Sequence, residues 1–442
     1  MRLDGIRVVV VGMGRSGVAT VELLAGKGAA VAVVEQNPAT LPQLAALRIP
    51  VLPQTDVSFA GAALIVLSPG VPPDVGPVYR ARRSGVPVIG DLELASRFLE
   101  GGIIGITGSN GKTTTTALAG HILQASGIPA QVGGNIGAPP ASMVKKSREG
   151  QWNVLELSSF QLEMTESFRA HIGAALNVTP DHLDRHYTME KYAEAKARLF
   201  VNQREEDYAV LNAGDPICRA FAARGAAKPV WFSSTQEVSP GAFVDGGNIM
   251  LDGRPLMAVA EVPLRGLHNL ENTMAAAVIT SLAGATRSEI RAAVMTFPGV
   301  EHRLEFVREL DGVAWYNDSK ATNVDAALKA VAAFPGGVWI ILGGKDKGSD
   351  YSPMAGPLRR KARTALLIGA AADKIEAQLH DAAPVVRCGT LEVAVAEARA
   401  RATRGDTVLL APACASFDQF ENFEHRGREF KRLVKELGEQ HG

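Results

Sequence analysis

Ile103-Ile104-Gly105-Ile106-Thr107-Gly108-Ser109-Asn110-Gly111-Lys112-Thr113-Thr114 is the stretch that decides the fold of this chain. Its first five residues are apolar or β-branched and read as a short buried strand. Two glycines then free the backbone to turn, and Ala117–Gln124 continues as a helix. A strand, a glycine loop and a helix in that order aim backbone N–H groups at an anion. Lys112 can reach β- and γ-phosphates, and a threonine hydroxyl can ligate Mg²⁺. The generic G-x-x-x-x-G-K-[ST] pattern would place glycine at position 106, where this chain has Ile106. The remaining parts are all present, and they predict a nucleoside triphosphate site.

Working outward, short apolar runs recur at Arg7–Val11, Val31–Glu35, Ala63–Leu67, Val154–Leu157, Ala174–Asn177, Val338–Leu342, Ala365–Ile368 and Thr407–Leu410. Each is short, rich in β-branched residues and followed by turn formers, as buried parallel strands are. Helical stretches lie between them, which predicts an α/β protein whose ligand loops sit at the carboxyl ends of the strands. A length of 442 residues suits about three domains. We place them at residues 1–95 (Rossmann-like), 96–299 (the nucleotide-binding parallel sheet) and 300–442 (Rossmann-like again). The breaker cluster Phe297-Pro298-Gly299 marks the second boundary.

The first run leads into Gly12-Met13-Gly14-Arg15-Ser16-Gly17, with Glu35 closing the next run. That G-x-G-x-x-G spacing admits a nicotinamide dinucleotide, a different nucleotide, or packing glycines alone. A Rossmann oxidoreductase and a non-catalytic nucleotide-binding regulator therefore stand as alternatives to an enzyme that spends ATP.

Composition narrows the field. Lys+Arg and Asp+Glu both number 46, so the broad basic field that nucleic-acid binding needs is missing. Cys218, Cys388 and Cys414 lack metal-type spacing and read as buried thiols of a reducing compartment. No apolar run is long enough to cross a bilayer. The expectation is a cytoplasmic protein without membrane insertion, acting as a monomer on small molecules.

Glu156 ends the Val154–Leu157 run and is followed by Ser158-Ser159-Phe160-Gln161; Asp181-His182 and Asp184-Arg185-His186 follow the Ala174–Asn177 run. A carboxylate at such a strand end is placed to hold Mg²⁺, a hard ion that prefers oxygen. Lys196, within Tyr192–Phe200, reads by its surroundings as a solvated helix lysine.

The blocks GSNGKTTT, GGNIG, LELSSFQLE, NVTPDHLDRH, YAEAKARLF, GLHNLEN, EHRLE, NDSKATN, LGGKDKG and PACASFDQFENFEHRG occur in this order from residue 108 to residue 427. In this the chain resembles the Mur ligase family of peptidoglycan synthesis over nearly its whole length. Its last four blocks match the branch that adds D-glutamate to UDP-N-acetylmuramoyl-L-alanine. The resemblance implies an ATP-dependent amide ligase working through an acyl-phosphate and a tetrahedral intermediate. It implies two Mg²⁺ ions. Gly108, Asn110, Gly111, Lys112, Thr113 and Thr114 would hold ATP phosphates, with Thr113, Glu156 and His182 on metal. Lys196 would be the family's carbamylated lysine, serving the second ion, which reverses the solvated reading. Asn269 and Asn272 would lie on the adenine side, Arg303 at the phosphates and Asp318 at the ribose. Gly14, Arg15, Ser16, Glu35, Gln36 and Asn37 stand where the family contacts UDP, with Gln36-Asn37 replacing a more usual Thr-Arg. Gly70, Asn135, Ser158 and Gln161 would face the muramoyl-alanine portion. Lys320, Thr322, Lys347, Ser416 and Phe423 would surround D-glutamate. Lys112, Glu156, His182, Lys196 and Arg303 form the implied catalytic set, and the third block would close when ATP binds. A sibling ligase, using another amino acid or acceptor, is the nearest alternative.

Overall fold

A computed structural model of the chain describes residues 1–35 and 49–438. They form two compact units, one of Met1–Val262 with Glu271–Phe297 and one of Pro263–Leu270 with Pro298–Gly442.

The first unit carries two sheets. The N-terminal one holds β1 (Arg7–Val11), β2 (Ala30–Val34), β3 (Val51–Leu52), β4 (Leu64–Leu67) and β5 (Val88–Gly90), in the order β3-β2-β1-β4-β5 and all parallel. Alternation explains why both its faces are covered. Val8 and Val10 pack under Leu23 and Leu24 of the helix Arg15–Gly26, while Val9 and Val11 pack on Phe59 and Val78. Each fully buried valine is worth about 1.5–3 kcal/mol, so an almost all-valine strand sits stably at the sheet centre.

The central sheet holds β6 (Gly102–Thr107), β7 (Ala130–Gly134), β8 (Trp152–Glu156), β9 (Ile172–Ala175), β10 (Tyr208–Asn212), β11 (Lys228–Ser233), β12 (Gly241–Asp245), β13 (Asn248–Leu251) and β14 (Arg254–Ala258). Its order is β14-β13-β12-β11-β10-β9-β6-β8-β7. β12, β13 and β14 form an antiparallel meander on its edge, which the apolar runs did not predict. β9, β6 and β8 are neighbours, so their three carboxyl-end loops meet. This adjacency brings the Gly108–Thr114 loop, Glu156 and the segment after β9 to one edge of the sheet.

The second unit is built on β15 (Glu305–Leu310), β16 (Val313–Asn317), β17 (Val338–Gly343), β18 (Ala362–Ile368), β19 (Val385–Gly389) and β20 (Thr407–Leu410), ordered β15-β16-β20-β17-β18-β19. Only β15 runs antiparallel to its neighbour. The loops after β16, β20 and β17 again lie side by side. They are the NDSKATN, PACASFDQF and LGGKDKG segments.

The runs Arg7–Val11 and Thr407–Leu410 are strands residue for residue. Ala174–Asn177 is displaced: the strand is Ile172–Ala175. Leu176 and Asn177 already belong to the loop, where the Asn177 carbonyl accepts from the Ser109 N–H at 2.9 Å.

Candidate active site

The Gly108–Gly111 loop is held from outside. Asn110 N–H donates to Asn177 Oδ1 at 2.8 Å, and Ser109 Oγ donates to the Thr179 carbonyl at 2.8 Å while lying 3.1 Å from the Tyr192 hydroxyl. Gly111 has φ +85°, and a Cβ there would stand 2.3 Å from Asn272 Oδ1. Any side chain at 111 would therefore meet both strain and a clash. The helix Lys112–Ala125 follows directly.

Two lysines converge on one carbonyl. Lys112 Nζ donates to Gly108 O at 2.7 Å and to Ser109 O at 3.0 Å, and Lys196 Nζ donates to the same Gly108 O at 2.9 Å. Lys196 is 1% exposed and lies over the Tyr192 ring at 4.5 Å. This overturns the solvated reading of its helical surroundings. Burial, with the Lys112 ammonium beside it, pulls its pKa well below the ordinary lysine value.

Thr113 Oγ1 donates to Glu156 Oε2 at 2.7 Å, and Asn135 Nδ2 donates to Glu156 Oε1 at 3.0 Å. A hydroxyl and a carboxylate facing each other are hard oxygen donors of the kind Mg²⁺ takes, so the residues present fit that ion. Among the described residues no three His, Cys, Asp or Glu side chains gather as a metal cluster. A fit for Mg²⁺ therefore rests on this mixed pair, with phosphate oxygens to complete the shell. His182 stands near by, its ring 4.9 Å from that of Phe160. It has φ +52°, a conformation rare outside glycine and frequent where function fixes the backbone. Burial holds its pKa below the usual histidine value, so the imidazole is neutral near pH 7.

Ser158 caps the short Ser159–Leu162 helix, with Gln161 returning its side chain to the Ser158 N–H at 3.1 Å. Behind them, the buried His186 ring lies 2.9 Å from Ser159 Oγ, and Arg185 pairs with Glu163 and donates to the Val71 carbonyl at 3.1 Å. That carbonyl adjoins Gly70 of the Ser68-Pro69-Gly70 turn.

At the N-terminal sheet, Glu35 Oε2 accepts from Met13 N–H at 2.7 Å, and Arg15 donates to the Gly137 carbonyl of the GGNIG loop at 2.6 Å. A cavity of about 400 Å³ opens here, lined by Met13, Gly14, Arg15, Val18, Ala19, Glu22 and Pro139. Gln36 and Asn37 lie outside the described residues.

In the second unit, Asn269 Nδ2 donates to Arg265 O at 2.8 Å. Asp318 is 8% exposed, and burial pushes its carboxyl up to about 6 despite the nearby Arg303. Lys320 Nζ lies over the Phe423 ring at 5.4 Å; Ser416 is buried, Thr322 half-buried and Lys347 exposed. Sequence reasoning missed Arg426. It is 0% exposed and joins two of these loops by donating to Ser319 Oγ at 2.9 Å and to Cys414 O at 3.2 Å. It also missed Asp346, which accepts from Lys374 Nζ at 2.8 Å and the Tyr351 hydroxyl at 2.9 Å and so fixes the loop of Lys347. Cys218, Cys388 and Cys414 are free and buried, as expected.

Comparison with known proteins gives three family-model matches. Residues 6–90 match the Mur ligase MurD-like N-terminal domain, 106–280 the Mur ligase middle domain, and 302–414 the Mur ligase glutamate ligase domain. The UDP-N-acetylmuramoylalanine--D-glutamate ligase of Solibacter usitatus is 59% identical over 99% of both chains. The enzyme of that name from Koribacter versatilis is 49% identical over 100% of this chain and 99% of its own. In fold, the chain is similar to the MurF ligase of Thermotoga maritima solved with ADP, with TM-score 0.63 and 17% identity over 98% of this chain and 96% of that one.

Proposed function

This chain belongs to the Mur ligase family, and from that premise we propose that it joins D-glutamate to UDP-N-acetylmuramoyl-L-alanine at the expense of ATP. The carrying observation is full-length similarity to D-glutamate ligases, at 59% identity with 99% of each chain covered. The N-terminal glycine turn is then a site for the UDP-substrate rather than for a nicotinamide. On this reading the work would be divided among residues 1–95, 96–299 and 300–442.

A carboxylate resists attack by an amine. In the first step the alanine carboxylate oxygen attacks the γ-phosphorus, an O–P bond forms, and ADP leaves. In the second, the D-glutamate amine attacks the acyl carbon, the resulting tetrahedral adduct expels phosphate, and the amine proton passes to solvent or base. What the protein supplies is charge and position. The Gly108–Thr114 loop receives the phosphates. Lys112 exchanges its bonds to Gly108 and Ser109 for phosphate oxygens, and Arg303 adds a second cation. Thr113, Glu156 and His182 would hold Mg²⁺, which when bound neutralises crowded oxygens as a Lewis acid. Asn269 and Asn272 take the adenine side and Asp318 the ribose. Asn135, Ser158 and Gln161 orient the muramoyl-alanine portion, with Gly70 at its edge. Lys320 and Lys347 balance the two glutamate carboxylates, while Thr322, Ser416 and Phe423 shape that pocket. Lys196 is a buried amine whose pKa burial and the Lys112 ammonium pull well below the ordinary lysine value. Its Nζ can attack CO₂, form an N–C bond and release a proton, giving a carbamate with two hard oxygens for a second ion.

No helix among the described residues is long and apolar enough to cross a membrane. A monomer in the cytoplasm is our reading of where and how the chain works. The decisive assay is phosphate release with ATP and Mg²⁺. It should require both UDP-N-acetylmuramoyl-L-alanine and D-glutamate, with L-glutamate much poorer. Equal turnover with L-lysine or diaminopimelate would overturn the assignment.

A further inference from the structure

Arg426 lies near the start of the helix Phe423–Glu436 and is 0% exposed. A guanidinium has five N–H donors in one plane and keeps its charge. Here Nε donates to Ser319 Oγ at 2.9 Å, and Nη2 donates to the Ser319 carbonyl at 2.8 Å and the Cys414 carbonyl at 3.3 Å. Nη1 donates to the Cys414 carbonyl at 3.2 Å and the Ala415 carbonyl at 3.5 Å. Each of these contacts ends on a neutral oxygen, and among the described residues no carboxylate accepts from this side chain. The acid of the same loop, Asp418, is exposed and accepts instead from the Ala370 N–H at 3.0 Å.

These contacts gather three loops. Ser319 belongs to the loop after β16 and passes the constraint on, because its Oγ donates to the Phe423 carbonyl at 2.8 Å. Cys414 and Ala415 belong to the loop after β20. The Ala415 carbonyl also accepts from the Lys345 N–H at 2.9 Å, in the loop after β17. A Cβ on the neighbouring Gly344 would stand 2.3 Å from that carbonyl and 3.3 Å from Arg426 Nη1. Lys320 follows Ser319, Ser416 follows Ala415, and Lys347 lies just beyond Lys345. These and Phe423 belong to the set assigned to D-glutamate.

Neutral carbonyls solvate a guanidinium without cancelling its charge, and a charge in a dry interior reaches further than one in water. Burial lowers the Arg426 pKa only to about 10, so the group is charged at neutral pH. Asp346, the acid in the loop of Lys347, is already paired with Lys374 at 2.8 Å. We propose that Arg426 is a positioning residue for D-glutamate: it locks the three loops into one pocket and leaves its own charge to be balanced by the incoming carboxylates. This deepens the reading of these loops as the D-glutamate site and rests on it. Lys320 and Lys347 would contact the carboxylates, while Arg426 acts from behind the loop backbone. A cation fixed in advance costs no reordering when the amino acid arrives. Its loss therefore weakens the hold on D-glutamate more than it slows the chemical step.

Steady-state phosphate release by the full chain, with each substrate varied in turn, tests this. Arg426→Gln, which can still donate to a carbonyl but has no charge, should raise KM for D-glutamate about ten- to a hundredfold, with kcat within about threefold of the parent. KM for ATP and for UDP-N-acetylmuramoyl-L-alanine should stay within about twofold. Arg426→Lys restores the charge without the planar fork and should bring KM for D-glutamate back to within about fivefold of the parent. A residue that merely propped the loops would gain nothing from lysine over glutamine, so equal KM values in these two variants overturn the proposal. A common rise in all three KM values, or an unchanged KM for D-glutamate, overturns it as well. If Arg426→Gln does not fold, Ser319→Ala takes its place, removing one acceptor and the link to Phe423. It should raise KM for D-glutamate about three- to tenfold with KM for ATP steady, and no rise counts against the proposal. Failure of the parent chain to release phosphate with D-glutamate would instead sink the reading of the loops.

Discussion

Lys196 shows at the residue scale what a local pattern can hide. Its neighbours in sequence make an ordinary helix face, yet the side chain is wholly buried under Tyr192 and against Gly108. A base whose folded pKa is depressed binds fewer protons in the native state than in the unfolded one, so stability of the ligand-free protein should rise as pH rises from neutral. Replacing Lys196 with Met should flatten that dependence and raise stability by about 1–4 kcal/mol in thermal or denaturant melts. Lys196→Ala should lose most activity while folding, with small carboxylic acids restoring part of it; a fully active variant would return this lysine to a structural role. Lys347→Ala should raise KM for D-glutamate about tenfold or more, a loss of about 1.5–3 kcal/mol, and leave KM for ATP nearly unchanged in steady-state kinetics. The phosphate loop was legible because its glycines, lysine and threonine lie within one turn of chain. Its supports were not. Asn177 and Tyr192 meet it from 67 and 83 positions away, and Arg426 reaches Ser319 across 107. No local spacing encodes such pairs.

Between elements, the same distinction governs what holds the site still. The segment Glu166–Phe168 that leads towards β9 has its backbone N–H groups collected by Glu93, which accepts from Glu166, Ser167 and Phe168 at 2.9, 3.0 and 2.9 Å. Arg97, just past the end of the helix Asp91–Ser96 that carries Glu93, closes the carboxylate at 2.9 Å. From the other side, Asn202, just past the helix Met189–Val201 that bears Lys196, donates to the Glu166 carbonyl at 2.8 Å. Burial opposes the charge on Glu93, but the donors of Ser167, Glu166 and Arg97 win and lower its pKa. Its contribution is therefore present above the unfolded value near 4.5 and lost as pH falls through the lower folded value. Glu93→Ala should cost about 3–5 kcal/mol, measured by denaturant titration at pH 7, and the difference from the parent should shrink on acidification towards pH 3. An unchanged midpoint would mean that the segment holds itself. The central strands β1, β6, β8, β17 and β20 were legible as apolar runs, because a buried parallel strand is apolar on both faces, whereas β10, β16 and β19, which carry Tyr, Asn or Arg among their apolar residues, were not. The β12–β14 meander escaped because each of its short strands mixes buried with exposed residues at a sheet edge and so shows no continuous apolar run.

Across the whole molecule, chain order and spatial order part company. β20 is the last strand to be made, at Thr407–Leu410, yet it lies between β16 and β17 in the interior of its sheet. A chain ending at residue 406 should therefore leave the second unit unable to form, with loss of its cooperative melt and aggregation on expression. Solubility and circular dichroism of this truncation beside the full chain would check it. The interleaving also sets a timetable for birth. While the ribosome is still adding residues, Val338–Gly343 must wait with Ile340, Ile341 and Leu342, all destined for the interior, short of their central neighbour. The segment Pro263–Leu270 emerges long before the unit it joins. A nascent chain of this protein thus carries an open apolar edge from the completion of Gly343 until Thr407–Leu410 is added, and it depends on chaperones there more than a domain whose strands are added outward in order.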